Sequence, residues 1–175
     1  MPHLVKAPQS PVTLDHVRLI LAPACLGRDE GGGEIWTEAT PIEGAAAYAG
    51  SGIHPIVILH PPGEHSSWDD RINDEWRPLN LENAQLVACV GPIKKEAIEL
   101  CEFLSGSGIT RYRFRIAVRL IGASTGSTLA YQTFYGAPPR ACKVSEPMNL
   151  GELTGPEVGY LQVAGWLEGI VKEKP

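Results

Sequence analysis

The stretch Arg111-Tyr112-Arg113-Phe114-Arg115-Ile116-Ala117-Val118-Arg119-Leu120 decides the fold. Tyr112, Phe114, Ile116, Val118 and Leu120 occupy every second position, and Arg111, Arg113, Arg115 and Arg119 stand between them. Side chains alternate faces along a strand, so this spacing predicts a half-buried β-strand with one apolar face and one arginine face. Downstream, Thr128 to Tyr135 is again β-prone, and Gly122-Ala123-Ser124-Thr125-Gly126-Ser127 supplies turn residues between the two. Ile109–Ile121 and Thr128–Tyr135 are therefore expected to form an antiparallel hairpin.

Upstream, Pro55 to His60 and Ala84 to Val90 are apolar runs of strand length. Residues 93–104 fit two patterns. Ile93, Ala97, Leu100, Cys101 and Leu104 make a helical stripe, but Ser105-Gly106-Ser107-Gly108 leads straight into the arginine strand as a hairpin turn would. The strand reading over Ala97 to Leu104 is preferred. Val17 to Ala22 reads as a short strand, with a helix capped by Thr13 as the competing reading. Thr154-Gly155-Pro156-Glu157 has capping-box spacing and starts a C-terminal helix whose apolar residues are Val158, Leu161, Leu167, Ile170 and Val171.

These elements predict an α+β fold: a loop-rich antiparallel β-meander with the arginine strand near its centre and the C-terminal helix on its apolar face. A parallel α/β fold lacks the helices expected between its strands. The 175 residues suit one globular domain over 12–175, preceded by a proline-bearing arm over 1–11. The loop-rich character follows from 19 glycines and 15 prolines.

The formal net charge is −5, which argues against a nucleic-acid binder. No apolar run approaches the roughly 20 residues of a membrane span. The N-terminus, with Lys6 alone as a basic region and Pro2, Pro8 and Pro11 interrupting it, offers no ordinary signal peptide, which favours a cytoplasmic setting. Leu19 to Cys25 ends like a lipoprotein cleavage site, but its apolar run is too short. The four cysteines show no CxxC spacing. Cys89 reads as a small core residue, while Cys101 and Cys142 flank the central hairpin and could pair in an oxidising compartment.

Three features bear on function. Guanidinium groups fork onto carboxylates and phosphates, so Arg111, Arg113, Arg115 and Arg119 are candidates for a partner surface. The alternative is a solvated sheet face neutralised by Glu99 and Glu102 on a neighbouring strand. The loop from Pro61 to Asn80 is long and carries Trp68 and Trp76, which would contact a partner or pin the loop to the core. His54, His60, His65 and Asp69 are metal-ligand types in one neighbourhood, without a specific metal-binding spacing. No nucleophile elbow or other catalytic signature is present, and no catalytic residue and no cofactor are expected.

The leading expectation is a non-enzymatic protein-binding or assembly module. Its arginine face and 61–80 loop would contact another protein of acidic character. A metal-dependent hydrolase built on the histidines, or an arginine-lined site for a small anion, are the alternatives.

Overall fold

The computed structural model describes residues 14–25, 39–49, 51–60, 68, 71–103, 106, 108–143 and 151–172. In chain order the elements are α1 (Leu14–Leu21), running into a 3-10 turn Ala22–Cys25, then β1 (Ile56–Leu59), β2 (Leu86–Val90), β3 (Lys94–Glu102), β4 (Gly108–Gly122), β5 (Thr128–Tyr135), β6 (Glu152–Thr154) and α2 (Tyr160–Val171). The arm over 1–11, His65 and Asp69 lie outside the described residues.

β4 is the axis of the sheet. Residues 118–121 pair with β2 and β5 at once, residues 110–112 pair with β3 and β6 at once, and Arg115 pairs with both β3 and β5. β2 and β3 therefore run one after the other along one side of β4, and β5 and β6 along the other. The expected 109–121/128–135 hairpin forms, and residues 94–102 are a strand.

The fold is α+β, but the sheet is mixed and not an antiparallel meander. β1 pairs with β2 in parallel, in the register Ile56↔Leu86 to Leu59↔Cys89, and β6 pairs with β4 in parallel. A parallel pair needs a long crossover. Residues 60–85 lie between β1 and β2, and the described ones among them form short 3-10 turns at Asp74–Trp76 and Leu81–Asn83 and no α-helix. No helix among the described residues is long and apolar enough to cross a membrane.

The inner half of β4 is covered on both faces. On one face Ile116, Val118 and Leu120 join Ile56, Ile58, Leu86, Ala88 and Val90 beneath Val163, Leu167 and Val171 of α2. On the other, Val57, Val87, Cys89 and Ile121 meet Val17 and Leu21. Val17 and Leu21 belong to α1, so the strand expected over 17–22 is a helix. Its short apolar run does not distinguish the two by period alone, and the helix buries one side while leaving Leu19 exposed.

α2 starts later than the sequence suggests. Thr154 lies in β6, paired with Tyr112, so it is not a helix cap. The N-cap is Gly159, whose N–H donates to the side chain of Gln162 at 3.2 Å. This start sets the helix phase: Tyr160, Val163, Leu167 and Val171 face the core, and Leu161 is 74% exposed. Between β5 and α2 the chain crosses itself. A Cβ at Gly155 would collide with the Ala137 carbonyl, and one at Gly136 with that of Pro156, so both positions need glycine for the close approach.

Candidate interaction face

The outer half of β4, Gly108 to Arg115, projects beyond the two cores, and its neighbours supply the partners of the arginine row. The register places Glu96 opposite Arg113 and Glu99 opposite Arg111. Arg113 Nε donates to Glu96 Oε2 at 2.6 Å. Arg111 pairs with Glu99 and also donates to the Pro139 carbonyl at 2.6 Å. Glu96 and Glu99 are an odd number of residues apart, so an unbroken strand would turn them to opposite faces. A bulge between Ala97 and Glu99 brings both to the arginine face. Glu102, expected to join Glu99 there, is instead opposite Gly108.

The other flank of the face is aromatic. β5 places Tyr135 opposite Arg115 and Tyr131 opposite Arg119. Residues directly opposite in a ladder share a face, so these tyrosines stand beside the arginines. The Arg113 guanidinium lies 4.0 Å from the centroid of the Tyr135 ring, a cation–π contact. Tyr131 and Tyr135 are 47% and 39% exposed. Sequence reasoning assigned Tyr112 and Phe114 to the opposite face and missed these two. Their signal was the alternation of Tyr131, Thr133 and Tyr135, readable only once the hairpin register is known.

The four arginines are not equivalent. Arg119 is buried, and burial lowers its pKa from the ordinary guanidinium value. Arg111 is largely covered, with 14% of its side chain exposed, whereas Arg113 keeps 34%. Arg115 is half-buried, opposite Lys94 on one side and Tyr135 on the other. The accessible centre of the face is therefore Arg113, Arg115, Tyr131 and Tyr135.

Disulfides bracket this face. Cys89, opposite Arg119, is bonded to Cys25 and is not a free core thiol. Cys101, opposite Ile109, is bonded to Cys142, so the pairing open on sequence is made. The first bond ties the end of the α1 segment to the sheet. The second ties the segment after β5 to the outer end of β3, where Pro139 meets Arg111. Cys25 thus ties α1, whose Val17 and Leu21 belong to the core, to β2.

The remaining candidates are placed elsewhere. Trp68 and Trp76 are 4% and 5% exposed and pack in the core below α2, Trp68 edge-on to Tyr160. Their rings serve the core rather than an outer surface. His54 is buried, with Nδ1 2.7 Å from Gln85 Oε1 and its ring edge-on to Tyr48. That is the environment of a packed imidazole. His60 is half-buried just after β1. Among the described residues no three His, Cys, Asp or Glu side chains gather as a metal site requires. Comparison with protein-family models, with curated proteins and with solved structures gives no match to this chain.

Proposed function

We propose that the chain is a non-enzymatic protein-binding module whose contact surface is the arginine–tyrosine face of the outer sheet, and that its partner is acidic. The observation that carries this reading is the Arg113 guanidinium lying over the exposed Tyr135 ring. Tyrosine and arginine are the residue types that concentrate binding energy at protein interfaces. Stacking also fixes the guanidinium in place, which lowers the ordering cost on binding a carboxylate. The 61–80 loop has a lesser part in this reading, because Trp68 and Trp76 are spent on the core.

Two disulfides favour an oxidising compartment over the cytoplasmic setting expected from the N-terminal sequence. Capture should therefore be attempted with the oxidised protein and material from such a compartment. Cross-linking capture, with the partner identified by mass spectrometry, is compared between wild type and the double variant Arg113→Glu, Arg115→Glu. Loss of the wild-type partner, with the melting temperature changed by only a few degrees, supports the face. Undiminished capture by the folded variant removes it.

A further inference from the structure

β3 and β5 each run along β4, and neither has a described strand on its other side. They are built differently. β3 carries five charged residues among its nine, and its register breaks in mid-strand. Charge and a bulge are the devices that stop another strand from adding to an edge. β5 carries no charged residue, and its irregularity is confined to its beginning, opposite Leu120 and Ile121. From Ala130 to Tyr135 it is a regular, uncharged, β-prone strand.

Its hydrogen-bond phase follows from one contact. Gly136 N–H donates to the Phe114 carbonyl at 2.8 Å. The ladder alternates, so Phe134 and Gln132 turn their backbone groups toward β4, and Thr133 and Tyr135 turn theirs outward. Side-chain amides meet the two outward carbonyls: Gln132 Nε2 lies 3.2 Å from Thr133 O, and Gln162 Nε2 lies 3.3 Å from Tyr135 O. Such long side-chain bonds can give way to the ladder bonds of an arriving strand.

We infer that β5 is a strand-addition site, and that its occupant is an extended acidic segment of another protein. This rests on the proposed role of the arginine–tyrosine face and specifies how the partner is held. Alternate side chains of an added strand would stand on that face next to Tyr131, Thr133 and Tyr135. The Arg113 guanidinium already reaches the Tyr135 ring, so a carboxylate beside Tyr135 would meet it. Of the residues that the ladder sets on this face, Lys94, Arg111, Arg113, Arg115 and the buried Arg119 are basic, and Glu96 and Glu99 are acidic. A second copy is a poor occupant. Antiparallel pairing of two β5 strands about a two-fold axis would set two such cationic faces side by side.

The test is a titration of the oxidised protein, followed by amide hydrogen exchange, with three synthetic peptides. One alternates Glu and Val, one has the same composition with a central proline, and one replaces each Glu by Lys. The alternating Glu peptide should bind and slow exchange at Thr133 and Tyr135 by roughly tenfold or more. The proline and lysine peptides should not. Thr133→Pro removes an outward N–H without touching the β4 ladder, so it should keep the fold and lose the peptide. Arg113→Glu should weaken binding by roughly tenfold, the loss of one charge-assisted contact. Equal binding of the proline peptide, or of the peptide by Thr133→Pro, would overturn strand addition while leaving the face as a partner surface. Equal binding of the lysine peptide or by Arg113→Glu, no binding of the Glu peptide, or concentration-dependent protection without peptide, would overturn the acidic occupant.

Discussion

The two halves of β4 differ in what surrounds them. From Ile116 to Ile121 every residue is buried, with α2 over one face and α1 over the other. From Thr110 to Arg115 every residue is only half-buried, and Arg111 and Arg113 find partners on β3 and, for Arg111, in the Pro139 segment. One unbroken strand thus leaves a double core and becomes the floor of a charged surface. Period-two alternation thus marks a strand without saying how deeply each turn of the pattern is buried. Phe114 and Ile116 are adjacent members of one apolar row, yet only Ile116 lies in the core.

The two disulfides give the largest effects expected from this contrast. Chain-entropy loss assigns each roughly 4 kcal/mol, with sequence separations of 64 and 41 residues entering only as a logarithm. The outcomes should differ in kind. Replacing Cys25 and Cys89 by serine should lower the global unfolding midpoint. Replacing Cys101 and Cys142 should also accelerate local amide exchange around Ile109, Arg111 and Pro139. Identical exchange patterns in the two double variants would erase the distinction between the halves.

Side-chain truncation sharpens it further. Leu120→Ala should cost about 2–5 kcal/mol, as for a fully buried leucine. Phe114→Ala, despite the larger side chain, should cost about 1–2 kcal/mol because the ring is half-buried. Denaturant titration orders the two; a greater loss at Phe114 would mean that the outer half also lies over a core.

On the α2 side, Tyr160 donates its hydroxyl to the Arg71 carbonyl at 2.9 Å. Burial raises its pKa, outweighing the lowering by Arg71 and Arg77. The folded state therefore holds this proton more tightly than the unfolded chain. Its stabilisation is complete below the unfolded value of about 10 and is lost as the pH rises through the folded value. Tyr160→Phe should cost about 1 kcal/mol near neutrality and flatten the alkaline fall in stability. An unchanged alkaline limb would assign that fall to other groups.

The smallest effect belongs to the outer half. Arg113→Ala removes a partly exposed ion pair and a stacking contact, and should cost roughly 1 kcal/mol or less in a thermal melt.

Much of this was legible before the fold. The strand character of β4 came from alternation, that of β5 from β-prone residues after a turn, and that of β1 and β2 from apolar runs bounded by Pro and Gly. The parallel pairing of β1 and β2 was not, because residues 60–85 between them give no helical signal. α1 was ambiguous because a run of eight residues holds too few turns to fix a period. α2 was read from Thr154, whose capping-box spacing is real but whose backbone is engaged by β4. The arginines were found from sequence, but their neighbours were not. The bulge at Ile98 changes the parity of β3, and the tyrosines need the hairpin register.

Amide hydrogen exchange along β4 in the oxidised wild-type protein tests the division of this strand most directly. Amides from Ile116 to Ile121 should exchange only through global unfolding, and those from Thr110 to Phe114 through a separate, lower-energy opening. A single uniform protection level from Thr110 to Ile121, with the same denaturant dependence, would contradict the account.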